Sequence, residues 1–368
     1  MDNKPESNQP NMIGISKYEN INGVSCYMGS ILHILQQIPV FADYIYNLSY
    51  IDTIKQKYNT EEKIRTKVIY ELWRLFNVSM TNNNITITPS SFKKTVGMRN
   101  DMWNEHRHQD SQEFFSFLVS SLEEEIGIKV DFIPGNLVKT NTSYISLLAS
   151  MAWQQFQAKE YSPLKDIFNG MFYIQTRCNC CSNISRTFEP FTTLQVAIPI
   201  TSKHDMSKDF TIDECLHHLI KEEQLDNDNM YNCEMCGLKN KGYKESLLWR
   251  TPKLLVIHIK RFLVDNYGSK TQKLVNNIKY PIYDFDISDY IHPDSPFKEK
   301  AKYNLVGVNL HQGFGSMGTN AGHYTSFVKN RFDDNWYLFN DGNTPLKATK
   351  KEHIQNKNAY LLFYYRTN

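Results

Sequence analysis

A cysteine, a histidine and a carboxamide far apart in this 368-residue chain supply the groups that thiol chemistry requires. Cys26 lies in GVSCYMGSILHILQQI, residues 23–38, where Met28, Ile31, Leu32, Leu35 and Ile38 recur at helical spacing and Pro39 closes the stretch. The pattern predicts a helix that begins at Cys26, with Gly23 in the entering turn and Ser25 at the N-cap. A thiol there faces the positive end of the helix dipole and free backbone N–H groups. Both favour the thiolate, which is the nucleophile. For Cys26 alone, an inert core cysteine is the competing reading. Catalysis also needs a base and a group to orient it.

Of eleven histidines, His323 stands out. It follows Gly322, opens the strand-like HYTSFV, and is preceded by the glycine-rich GFGSMGTNAG at 313–322, a loop able to move aside for a substrate. An adjacent antiparallel strand, WYLFN, brings Asn340 beside His323, with Asp341 next in sequence. An amide or carboxylate oxygen on the imidazole Nδ1–H would fix the tautomer and leave Nε2 facing the thiol. Asn340-Asp341-Gly342 also reads as a turn, and the two roles are compatible.

A second constellation is Cys178-x-x-Cys181 with Cys233-x-x-Cys236. Each pair can sit on a tight knuckle, and two knuckles complete a closed tetrahedral Cys₄ zinc site. Strand signals flank both pairs. One structural zinc would fix the tips of two hairpins that a small core could not hold. Cys180 could replace Cys178 or Cys181, although the x₂ spacing favours those two. No catalytic cofactor is expected.

These groups need a scaffold, and composition provides for one: 41% hydrophobic and 22% charged residues, with a net charge of +2. That balance gives no reason to expect nucleic acid as a partner, and no segment is long and apolar enough to span a membrane. Paired C-x-x-C among seven cysteines points to a reducing compartment, cytoplasm or nucleus, rather than to disulfides. Residues 1–13 are polar and read as a disordered tail. The front of the chain reads as helices. One runs through Ile64, Val68, Leu72, Trp73 and Phe76, and another follows Asp110, whose spacing to Glu113 suits a capping box. From Phe172 the period becomes strand-like, interrupted by a helix over 211–223 with Thr211 and Glu214 as a capping box and Cys215 on its apolar side. The class is α+β, helices segregated from an antiparallel sheet.

In that order, GVSCYMGSIL, HQDSQEFF, RCNCC with YNCEMC, HIKRF, AGHYTSFVKN and WYLFND resemble the motifs of the ubiquitin-specific protease family. These are papain-like cysteine peptidases that remove ubiquitin. The resemblance spans about residues 14–366 and implies a hand: a helical thumb (about 14–165), and a β palm with zinc-ribbon β fingers (about 166–366). It implies Cys26 as nucleophile, His323 as general base and then acid, and Asn340 at the third triad position, with Asp341 able to assist. It places Gln109 and Asp110 where the family binds the extended tail of ubiquitin. Ubiquitin and ubiquitinated proteins become the expected partners, with a regulatory protein complex as a further one. The family usually has asparagine five residues before the nucleophile, where it helps hold the oxyanion. Here that position is Ile21, flanked by Asn20 and Asn22, either of which could serve across a one-residue insertion. Otherwise the backbone N–H near Cys26 would work without an asparagine side chain; a weakly active or inactive ubiquitin-binding scaffold of the same fold is the alternative, as is a hydrolase of a ubiquitin-like modifier.

Overall fold

The computed structural model describes residues 14–82, 84–131, 144–264, 271–313 and 322–367. The tail over 1–13 and most of the glycine-rich loop, 314–321, lie outside the described residues.

The Cys26–Leu35 helix is buried on nearly every side, including Cys26, Met28, Ile31, Leu32 and Leu35. Around it pack the Pro39–Tyr46, Val68–Thr81 and Ser111–Ile126 helices, whose apolar faces share one core with it. The helix expected to run from Ile64 to Phe76 is two. Glu61–Arg65 stops at Thr66, whose hydroxyl bonds back to the Lys63 carbonyl, and Val68–Thr81 begins anew. The cause is tertiary: the buried Glu125 carboxylate, from the Ser111–Ile126 helix, accepts the backbone N–H of Val68 and of Ile69, both at 2.9 Å. That satisfies two orphan donors at a new helix start.

The last front helix, Pro163–Phe168, leads into strand Gly170–Cys178. This strand lies between Ile184–Phe191 and Gly242–Arg250, with Glu223–Leu225 at the far edge, in a four-stranded sheet. The Thr211 and Glu214 capping box is formed, and Cys215 is fully buried on its helix. The main sheet has eight strands. Lys302–Gln312 and Ala359–Arg366 are central, and His323–Lys329 followed by Trp336–Phe339 extends one side. It is not wholly antiparallel as expected, because Leu194–Ala197 joins Leu254–Lys260 in parallel.

Helix and sheet meet directly. At Gly307, on the strand facing Cys26–Leu35, a Cβ would come within 2.6 Å of Ile34 Cγ2. Only glycine lets the two backbones approach this closely. A buried Asn309 then ties three elements together: Nδ2 donates to Ser30 Oγ, and Oδ1 accepts from Ser111 Oγ, both at 2.8 Å.

Candidate active site

Cys26 is the first residue of its helix, with 2% of its surface exposed. Ser25 holds the N-cap position but does not cap. Its hydroxyl accepts the Ile21 N–H at 2.7 Å, so the helix start at Cys26 keeps no side-chain cap. The backbone N–H of Tyr324 approaches Cys26 Sγ at 3.5 Å, which sets the thiol against the strand that His323 opens.

His323 bonds Asn340 and lies beside Cys26, whose thiol favours its protonated form. Its Nε2–H donates to Asn340 Oδ1 at 2.7 Å, leaving Nδ1 for the thiol. The expected ring orientation is therefore reversed. The reason lies in the register: Ser326 pairs with Phe339, so Asn340 continues past the strand end opposite Thr325, two residues from His323 on the same face of the pleat. Asn340 is reached by the distal nitrogen, while the thiol lies close to the backbone, on the side of the proximal one. The hydrogen bond with Cys26, then that with Asn340 and the charge of Asp341, raise the His323 pKa to about 9 against the opposing effect of burial. Asp341 Oδ2 is 3.7 Å from His323 Nε2.

Ahead of Cys26 the chain makes the Ile21–Gly23 turn, where Asn22 and Gly23 both take positive φ, 55° and 71°. Asn20 is thereby locked at the site. Its Oδ1 accepts the Ser25 N–H at 2.7 Å and its Nδ2 donates to Asp341 Oδ2 at 3.1 Å. Asn22 is exposed and turned away, with Nδ2 2.8 Å from His106 Nδ1.

Asp110 caps the Ser111–Ile126 helix through Oδ1, which accepts the N–H of Gln112 and of Glu113 at 2.6 and 3.3 Å. Its other oxygen accepts from the Tyr360 hydroxyl at 2.6 Å, and burial raises its pKa. Gln109 is turned inward, donating to the Met102 carbonyl at 3.0 Å. Three features of the site carry no local sequence signal: the Asn309 bridge, Tyr360 on Asp110, and the link from Asn20 to Asp341. Each joins residues from different parts of the chain, and only the alternation of its strand marks Asn309 as inward-facing.

The Cys178, Cys181, Cys233 and Cys236 sulfurs all lie within 4.8 Å of one another. Cys178 is 3.9 Å from Cys236 and Cys181 is 3.6 Å from Cys233. Zn–S bonds of about 2.3 Å place tetrahedral sulfurs about 3.8 Å apart, so the four thiols fit a zinc ion. Two knuckles present them. Ser182 N–H bonds the Cys178 carbonyl, and Gly237 N–H, at φ 66°, bonds the Cys233 carbonyl. Cys180, exposed, is outside this four-sulfur group.

Comparison with known proteins places the chain in a family. The model of the family described as "Ubiquitin carboxyl-terminal hydrolase" matches residues 18–364. Ubiquitin carboxyl-terminal hydrolase Usp2 of Drosophila melanogaster is 28% identical over 361 residues, covering 96% of this chain and 35% of that protein. Ubiquitin carboxyl-terminal hydrolase 2 of Bos taurus is 28% identical over 358 residues, covering 95% and 55%. The chain thus spans about a third to a half of the length of these curated relatives. Among solved structures, the "SAGA Ubp8/Sgf11/Sus1/Sgf73 DUB module bound to ubiquitin aldehyde" superimposes with a TM-score of 0.69 at 24% identity, covering 97% of this chain and 70% of that one, a likeness of fold. With its family model matched from one end of the hand to the other, the chain belongs to the ubiquitin carboxyl-terminal hydrolase family.

Proposed function

We propose that the chain is a cysteine-type deubiquitinase that hydrolyses the isopeptide or peptide bond at the C-terminal glycine of ubiquitin. The observation that carries this reading is the meeting of Cys26, His323 and Asn340: Cys26 Sγ lies at the start of the strand that His323 opens, and His323 bonds Asn340. The Cys26 thiolate attacks the glycine carbonyl carbon, and the π electrons move to the oxygen. His323, held protonated by its neighbours, gives its proton to the leaving lysine amine as the C–N bond breaks, which leaves a thioester. Neutral His323 then takes a proton from water, whose oxygen attacks the thioester carbon; the C–S bond breaks, ubiquitin leaves with its carboxylate, and the Cys26 thiolate beside protonated His323 is restored. Asn340 keeps the ring in plane throughout.

Asn20 is the oxyanion donor in this scheme rather than Asn22, because its side chain bonds Ser25, next to Cys26, and Asp341, next to Asn340, whereas that of Asn22 turns to His106. Asp341 orients it. An engaged Asn20 weighs against the silent scaffold that Ile21 suggested. Asp110, with Tyr360, flanks the path proposed for the ubiquitin tail. Gln109 supports that path from behind through Met102. The four-thiol group would hold one structural zinc and staple the two knuckles. Ubiquitin and ubiquitinated proteins are the proposed partners, in a reducing compartment, cytoplasm or nucleus.

The test is release of aminocoumarin from the C-terminus of ubiquitin by wild type and Cys26→Ala. Release by wild type alone is expected. Equal release by both, or none by wild type while it still binds ubiquitin, would overturn the reading.

A further inference from the structure

Against the turn that enters the nucleophile helix lies a pocket of about 410 Å³. Ile21 and Asn22 form one wall. Lys93 and Lys94 of the Ser90–Arg99 helix form another, and Asn104 and His106 close it. Among the described residues its lining is rich in donors and contains no carboxylate. Lys93 is buried, and its ammonium donates to the Trp103 carbonyl at 2.9 Å. Among the described residues the Trp103 carbonyl takes one of its three N–H donors, and an ammonium can donate two more. Lys94 is exposed. The Asn22 amide nitrogen donates to His106 Nδ1, so the remaining ring nitrogen of His106 carries the N–H. Glu105, next to His106, is already engaged by Arg107. Ser90, also in the lining, opens its ten-residue helix after Pro89 with no side-chain cap, which adds the positive end of the helix dipole.

We propose that this pocket receives a carboxylate of the protein substrate: an Asp or Glu side chain close in sequence to the lysine whose isopeptide bond is cut. The inference rests on the deubiquitinase reading. Position supports it. Ile21 is five residues from Cys26, so at most about 18 Å of chain separates the pocket from the thiol. An extended peptide covers that span in about five residues. Ubiquitin is common to every substrate, so a charged pocket here sorts substrates only through the part that leaves.

The test uses ubiquitin joined by an isopeptide bond to two lysine peptides, one with glutamates flanking the lysine and one with glutamines. Ubiquitin-aminocoumarin, which has no leaving peptide, is the control. For wild type, kcat/KM is expected to be about fivefold higher on the acidic conjugate, with the difference shrinking in 0.5 M salt. Lys94→Glu, at an exposed position, should abolish or invert that preference, and His106→Gln should weaken it. Both should leave ubiquitin-aminocoumarin turnover unchanged. Equal wild-type rates on the two conjugates would overturn the proposal. So would a preference that survives Lys94→Glu, or an equal loss on ubiquitin-aminocoumarin. Wild type inactive on ubiquitin-aminocoumarin would instead remove the deubiquitinase reading, and this inference with it.

Discussion

Replacing Gly322 with alanine should separate the fold from the chemistry. A Cβ at this position would lie 2.5 Å from His311 Nε2 and 2.6 Å from the Gln312 carbonyl oxygen. Ordinary carbon contacts begin near 3.5 Å, so something must move by about 1 Å. His311 is fully buried, and Gln312 is held in register opposite His323. Neither is the free tip of a flexible side chain. The backbone at 322 must yield, and the next residue is His323. Misplacing a catalytic group by about 1 Å costs on the order of 100-fold in rate, while overpacking of this kind costs about 1–3 kcal/mol of stability. Gly322→Ala should therefore melt a few degrees lower, still bind ubiquitin, and lose about 100-fold in kcat/KM on ubiquitin-aminocoumarin. Gly342→Ala is the control. Its Cβ would meet Thr86 Cγ2 at an ordinary 3.6 Å, and activity should stay near normal. Gly322→Ala with activity within threefold of wild type would refute the claim that His323 is positioned through its neighbour's missing side chain.

Two further outcomes follow from the site. In the proposed mechanism His323, its pKa raised to about 9 by its neighbours, is the acid for the leaving amine; it is present at neutral pH and lost as pH rises through that value. Wild-type kcat/KM should fall on the alkaline side near pH 9, and Asn340→Ala, which removes one of the bonds favouring the protonated ring, should shift that limb downward; an unmoved limb would argue against the assignment. For the cysteine knuckles, purified protein should contain one zinc per chain and four thiols protected from a thiol reagent, and Cys233→Ser should release the metal and lower the melting temperature. Metal-free protein whose melting a chelator leaves unchanged would refute the zinc site.

Local chemistry made much of this molecule legible in its sequence. The Cys26 helix announces itself through apolar spacing and Pro39, the two knuckles through C-x-x-C, and the capped helix after Asp110 through its first turn, since all of these depend on neighbours within a few residues. The strand pair that brings Asn340 to His323 was also readable, because alternation and a short connection leave few registers. Tertiary structure alone decided the rest. Which imidazole nitrogen meets the thiol depends on how far the Cys26 helix stands from one strand, a distance set by packing and by Gly307. Which asparagine turns in beside Ser25 and which turns out to His106 involves Asp341, more than three hundred residues along the chain from Asn20. Likewise, Glu125 splits a continuous helical pattern by offering its carboxylate to Val68 and Ile69 from another helix. Hydrogen-bond partners distant in sequence leave no periodic trace, because a buried polar group is satisfied by whatever the fold places beside it.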